Sequence, residues 1–285
     1  VDGQDWKKPP FELTESNGRL YGRGTADMKG FCAAAINAAI IASQRDLTTP
    51  LHLALSYDEE IGCMGVRSLI TMLEHAPVRT AMCIVGEPTC MAVASGHKGK
   101  VALRAVCRGQ EGHSALAPLA MNALHLAVDF ANEIRAKQAE IAKNGQKDGD
   151  YDVPYTTLHV GKITGGEALN IVPNLAHVDF EIRNLAEDST DRIIADLRRA
   201  AEDIVARTNH PAAAIDVEEM WSYPGLLTDR HAEVMQFVKS LTGANGSIKV
   251  AFGTEGGLFS GQLGIPTVIC GPGSMMQGHK PDEYV

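Results

Sequence analysis

Apolar residues recur at helical spacing through residues 28–44, MKGFCAAAINAAIIASQ, which predicts an alanine-rich helix opening directly after Asp27. Next, Leu51, Leu53 and Leu55 alternate with His52, Ala54 and Ser56, the period of a strand over 51–57. A helix near 64–75 and a short strand at 81–85 ending in GEPT continue an alternation of β and α, as in a parallel α/β sheet. The pattern changes at Lys100. From there the chain reads strand (KVALRAVCR), long helix (about 119–143), strand (YTTLHVGKI), strand (LAHVDFEIR), helix (about 189–207) and a last strand near 214–219. That order, βαββαβ, is the ferredoxin-like split unit and is complete in itself. Beyond Pro224 the first pattern resumes, with a helix over about 229–242, a strand near 247–251, a glycine-rich turn and a strand at 265–270. The expectation is one α/β domain, residues 1–98 and 220–285, interrupted by an inserted α+β domain, residues 99–219. Neither an internal repeat nor a low-complexity segment alters this division.

Composition narrows the partners. With 285 residues, 45% hydrophobic and 21% charged, there is enough chain for one large or two ordinary domains with real cores. A net charge of -9 with both signs interspersed argues against nucleic acid or an anionic membrane as principal partner, since either wants a basic face. A small ligand, of cationic character, fits better. The longest apolar runs fall short of the ~18 residues that a membrane-spanning helix requires. Cys32, Cys63, Cys83, Cys90, Cys107 and Cys270 show no CxxC pairing and sit mostly among apolar neighbours, which points to buried reduced thiols and a cytoplasmic location. The opening VDGQDWKKPP is turn-rich and begins with Val1, so the native N-terminus is expected upstream.

Three acidic motifs carry the candidate chemistry. Asp58, Glu59 and Glu60 close LHLALSYDEE, with GRGTADMKG ahead and VGEPT behind. Carboxylates delivered at the ends of successive strands collect at one sheet edge, where their repulsion is costly unless a cation neutralises them. His279, in GPGSMMQGHKPDEYV, follows a Gly/Pro/Ser turn at the end of an apolar strand and supplies an imidazole. Each residue has a plainer reading on its own. Asp27 could be a helix N-cap, His113 a capping-region residue, Glu59 and Glu60 a solvated acidic turn, and Glu255 part of a glycine-rich loop. Adjacent side chains on an extended or turning backbone diverge, so Glu59 and Glu60 can do different jobs. His52, His125 and His159 read as ordinary structural residues.

GRGTADMKG, DEEIG, VGEPT, the GHSA of QEGHSALAP, NIVPNLAHVDFEIR and GHKPDEY stand in an order and spacing that resemble, over essentially the whole chain, one enzyme family. It comprises the zinc-dependent acetylornithine deacetylases, succinyl-diaminopimelate desuccinylases and related carboxypeptidases and aminoacylases. GEPT, FGTEGGLF and GPGSMMQGHKPDEYV look most like the acetylornithine deacetylase branch. The resemblance implies a zinc-peptidase-like α/β catalytic domain interrupted by a ferredoxin-like lid and dimerisation domain. It implies two Zn2+ per subunit, replaceable by Co2+: Asp27 bridging them behind a cis Asp27–Met28 peptide, Glu60 and His279 on one ion, Glu87 on the other. By the same resemblance Glu59 is the general base, and His113 holds the oxyanion across a homodimer interface. Asn170 and Arg183 grip a substrate carboxylate, and Glu255 meets a side-chain ammonium. The implied reaction removes acetyl from N2-acetyl-L-ornithine, giving L-ornithine and acetate in arginine biosynthesis. Alternatives are a succinyl-diaminopimelate desuccinylase, a broader N-acyl amino acid hydrolase or carboxypeptidase, or a non-catalytic amino-acid-binding relative, against which the presence of Glu59 argues. One departure matters: the family's first metal histidine lies in a His-x-Asp motif with no equivalent here. The resemblance therefore implies a chain truncated at both ends, with a second metal bound weakly or not at all and activity impaired.

Overall fold

A computed structural model describes residues 3–77 and 79–285. Two short strands, β1 (Thr14–Ser16) and β2 (Arg19–Tyr21), form a hairpin. Its two-residue turn places Asn17 and Gly18 at φ 54° and 71°, the left-handed values that a tight hairpin of this hand requires. A single turn over Thr25–Lys29 leads into α1 (Gly30–Ala42), followed by α2 (Val66–Glu74), β3 (Cys83–Val85) and β4 (Ala94–His97). The middle of the chain holds β5 (Lys100–Arg108), β6 (Gly112–His113), α3 (Ala123–Asn144), β7 (Thr157–Gly165), β8 (Ile171–Val172), β9 (Leu175–Arg183), α4 (Thr190–Thr208) and β10 (Ala214–Tyr223). The last part holds β11 (Leu226–Leu227), α5 (Glu233–Thr242), β12 (Ile248–Val250), α6 (Gly256–Leu263) and β13 (Thr267–Ile269). These elements fall into two compact units, Val1–His97 with Leu226–Val285, and Lys98–Gly225.

In the inserted unit, β10, β5, β9 and β7 lie side by side in that order, every pair antiparallel. The alternation of LAHVDFEIR decides which face is dry. Ala176, Val178, Phe180 and Ile182 enter the core with Leu103, Phe130, Ile134, Leu197 and Ile204, while His177, Asp179, Glu181 and Arg183 stand on the other face. The core clusters hold residues of α3 and α4 together with those of the sheet, and the Phe130 and Phe180 rings meet edge to face at 5.8 Å. Side-chain caps fix where these helices start: Asn122 accepts from the Leu124 amide at 2.9 Å and Ser189 from the Arg192 amide. Asn209, at φ 49°, closes α4.

The α/β unit has a mixed sheet where a parallel one was expected. β13 runs parallel to β3 and β12 parallel to β4, but β4 is antiparallel to both β13 and β11. Small apolar clusters hold it together, one around Val93, Val234, Met235 and Val268, another around Val85, Ala94, Leu226 and Ile269. Two further expectations are corrected. Residues 51–57 join no described strand, and Leu51, Leu53, Leu55 and Tyr57 are exposed. Alternation marks a chain able to pair, but the ladder exists only where a neighbour completes the hydrogen bonds. The glycine-rich stretch after β12 is the start of α6, where Gly256 passes close under the Thr254, Leu226 and Thr267 side chains and the Gly257 amide donates to His97 Nε2 at 3.2 Å.

Candidate metal centre

Asp27 sits on the single turn before α1 with φ −120° and ψ 87°, and the peptide linking it to Met28 is cis. Glu59 and Glu60 lie on a turn closed by Cys63 N–H to Glu59 O at 2.8 Å and by Met64 N–H to Asp58 O at 3.1 Å. A side chain at Gly65 would come within 2.1 Å of the Tyr57 carbonyl, so this turn can fold back on itself only with glycine there. Glu87 follows β3 and is buried; the Phe31 ring of α1 lies so close over Gly86 that a Cβ there would meet it at 2.0 Å. His279 comes from the loop after β13, with its carbonyl accepting from Gln4 Nε2 at 2.7 Å.

These segments converge. His279 Nε2 lies 3.1 Å from Asp27 Oδ2 and 3.1 Å from Glu60 Oε1, and one ligand atom from each residue falls within 4.8 Å of the others. The neighbouring carboxyls register the crowding. Burial, then the negative charges of Asp27 and Glu59 and a hydrogen bond with Asp27, hold Glu87 well above the usual carboxylate range. Burial first, and the Glu60 charge second, push Glu59 up to about 7, against a lowering contact from the Cys63 thiol, whose Sγ lies 3.6 Å from Glu59 Oε1. Burial also raises Glu255, a hydrogen bond from Ser56 acting the other way, and its Oε1 is buried with no hydrogen-bond partner among the described residues. Carboxylates crowded at this site, with Glu59, Glu87 and Glu255 partly withdrawn from water, are costly to ionise together unless a cation shares them. Two carboxylates and an imidazole within reach of one point can hold a divalent cation.

The structure thus brings Asp27, Glu60 and His279 together, with Glu59, Glu87 and Glu255 in electrostatic contact around them. In the inserted unit it places His113 beside Asn170. β6 pairs with β8 so that His113 faces Ile171, and the Ser114 amide donates to the Asn170 carbonyl at 3.0 Å. His113 Nδ1 accepts from the Ala115 amide at 3.1 Å, which leaves Nε2–H as the donor of the neutral ring. Arg183 is engaged on β9: its Nε donates to Glu181 Oε1 at 2.9 Å and its Nη1 to the Tyr223 hydroxyl at 3.2 Å. Burial pulls Glu181 upward, but hydrogen bonds from Lys100 and Arg183 outweigh it and hold this carboxyl below its ordinary value. Two participants escaped the sequence reading. Cys63 stands four positions beyond Glu59, one turn away, and Glu283 stands four beyond His279; only that spacing could have pointed to them.

Comparison with known proteins shows the family. The peptidase family M20/M25/M40 matches residues 1–285. An acetylornithine deacetylase of Myxococcus xanthus is 33% identical over 275 residues, covering 96% of this chain and 70% of the relative. One from Pasteurella multocida (strain Pm70) is 33% identical over 284 residues, covering 98% and 71%. Among solved structures, an M20 family metallo-carboxypeptidase from Sulfolobus solfataricus shares the fold with a TM-score of 0.74 at 19% identity, over 98% of this chain and 76% of that one. A cation-ready acidic cluster on an α/β unit interrupted by an α+β insertion, matched along its full length, places this chain in the M20/M25/M40 peptidase family of metal-dependent hydrolases.

Proposed function

We propose that this chain is the catalytic part of an N-acyl amino acid amidohydrolase that removes acetyl from N2-acetyl-L-ornithine, giving L-ornithine and acetate. The observation that carries the reading is the pairing of the Asp27–Glu60–His279 cluster with an adjacent carboxyl, Glu59, held up to about 7. A divalent cation on that cluster, zinc or cobalt, would polarise the acyl carbonyl and acidify water. Asp27 and Glu87 would share a second, weaker one. Glu59 does the proton work. Poised near neutrality, it takes a proton from the attacking water and returns it to the departing nitrogen, so that one carboxyl serves both halves of the reaction. His113 Nε2–H is suited to stabilise the oxyanion, a contribution of about 10²- to 10³-fold in rate. Asn170 and Arg183 take the α-carboxylate, for which a guanidinium fork is well matched. Glu255, whose Oε1 is buried without a hydrogen-bond partner among the described residues, takes the side-chain ammonium. The names of the relatives support the choice of acyl ornithine. We place the enzyme in the cytoplasm as a homodimer joined through the inserted unit.

The test is hydrolysis of acetylornithine by the zinc- or cobalt-loaded protein, beside succinyl-diaminopimelate and N-acetylnorvaline. Preference for acetylornithine is the expected result; faster turnover of the succinyl substrate would overturn the substrate assignment. Glu255→Gln should raise KM for acetylornithine while leaving KM for N-acetylnorvaline, which lacks the ammonium, nearly as before.

A further inference from the structure

Glu283 is among the most buried charged residues of the chain, at 1% exposure, yet it belongs to no cation cluster. Its carboxylate is fully subscribed. Oε2 accepts from the Gly24 amide at 2.8 Å and from Arg23 Nη1 at 2.8 Å; Oε1 accepts from the Ala26 and Asp27 amides, each at 3.0 Å. A carboxylate has about four lone-pair sites, so none is left for a metal ion. Its negative charge, next to an already acidic cluster, is absorbed by the guanidinium and three amide dipoles.

The two segments so joined are far apart in sequence but carry two of the three ligands. Asp27 is itself one of the residues whose amide is held, and His279 is four positions before Glu283. Around this joint, Leu20 and Val285 exchange both backbone hydrogen bonds, at 2.9 and 3.1 Å, and the Gly22 amide donates to the Glu283 carbonyl at 3.0 Å. On the other side Asp282 Oδ1 accepts from the Lys7 and Lys8 amides at 3.0 Å. Without the Glu283 carboxylate, three amide donors at residues 24, 26 and 27 would lose their acceptor inside the protein, and the turn that aims Asp27 would be free to relax.

We propose that Glu283 is a positioning residue for the metal centre: it locks the Asp27 turn to the His279 loop, and the cluster's affinity for a divalent cation depends on it although it binds no cation itself. This rests on the reading of Asp27, Glu60 and His279 as the cation site. Glu283→Gln keeps an oxygen for one pair of donors but turns an NH2 group toward the other pair; Arg23→Met is the milder variant, removing one of the four bonds to the carboxylate together with the Arg23–Gln4 hydrogen bond. The metal-free full chain is titrated with Co2+ by calorimetry as wild type, as both variants, and as Phe130→Ala, which weakens the other unit's core. Glu283→Gln should lose about 10- to 100-fold in Co2+ affinity and Arg23→Met a smaller factor, with Phe130→Ala close to wild type despite its lower melting temperature. If Glu283→Gln does not fold, Arg23→Met decides. Wild-type Co2+ affinity in the folded Glu283→Gln or Arg23→Met protein, whatever its melting temperature, would overturn the proposal. Failure of the wild type to bind Co2+ would instead remove the site reading on which it rests.

Discussion

Glu59 and Glu60 are consecutive residues with separate environments. Glu60 reaches out to within 3.1 Å of His279, while Glu59 turns back into the protein against the Cys63 thiol and is pushed up to about 7 by burial and by the Glu60 charge. Glu59→Gln preserves shape and the bound cation while removing the proton acceptor. Its kcat should fall by about 10²- to 10⁴-fold with zinc content unchanged, measured by turnover and elemental analysis on one preparation. Loss of metal and activity together would mean that Glu59 is a ligand. Each of these residues has a plainer explanation alone, and only the order and spacing of the motifs together singled them out as candidates. Glu283 was not among them. A carboxylate that satisfies backbone amides carries no compositional mark, and its partners at residues 23–27 are fixed only by the fold.

Among the elements, the inserted unit follows its sequence closely, since each strand of it finds neighbours within the same stretch of chain. The alternation in β9 is the example: every second residue from Ala176 enters the core that also holds residues of α3. Phe130 is fully buried there against Phe180, and Phe130→Ala should cost about 3–5 kcal/mol, measured by denaturant unfolding. A cost under about 1 kcal/mol would mean that the site collapses around the hole. Residues 51–57 show the opposite case. Their alternation is as regular as that of β9, but they pair with no described strand, and their leucines remain exposed. Periodicity reports which faces of a segment differ; whether a ladder forms depends on a neighbour that the periodicity does not name. The mixed sheet was missed for a related reason, since β4 and β11 are short and their direction is set by the turns that deliver them.

For the molecule as a whole, the acidic cluster makes stability depend on pH and on metal. Glu59 and Glu87 have folded-state pKa values above the ordinary carboxylate value, Glu59 at about 7. Such groups contribute stability that is complete below their unfolded pKa and is lost as pH rises through the folded one. The metal-free protein should therefore melt at a lower temperature at about pH 8 than at about pH 5, followed by calorimetry in chelator. Below about pH 4 the sign reverses as Asp179, held low by its hydrogen bonds to Arg104, becomes protonated. A melting temperature that stays flat or rises between about pH 5 and 8 would deny the carboxylate strain. The central claim, that these motifs assemble a cation site, is tested most directly by the zinc retained per chain after dialysis, for the wild type and for Asp27→Ala. The wild type should retain zinc, and Asp27→Ala, which lacks one of the three candidate ligands, should not. A wild type that retains none, or an Asp27→Ala protein that retains as much, would contradict it.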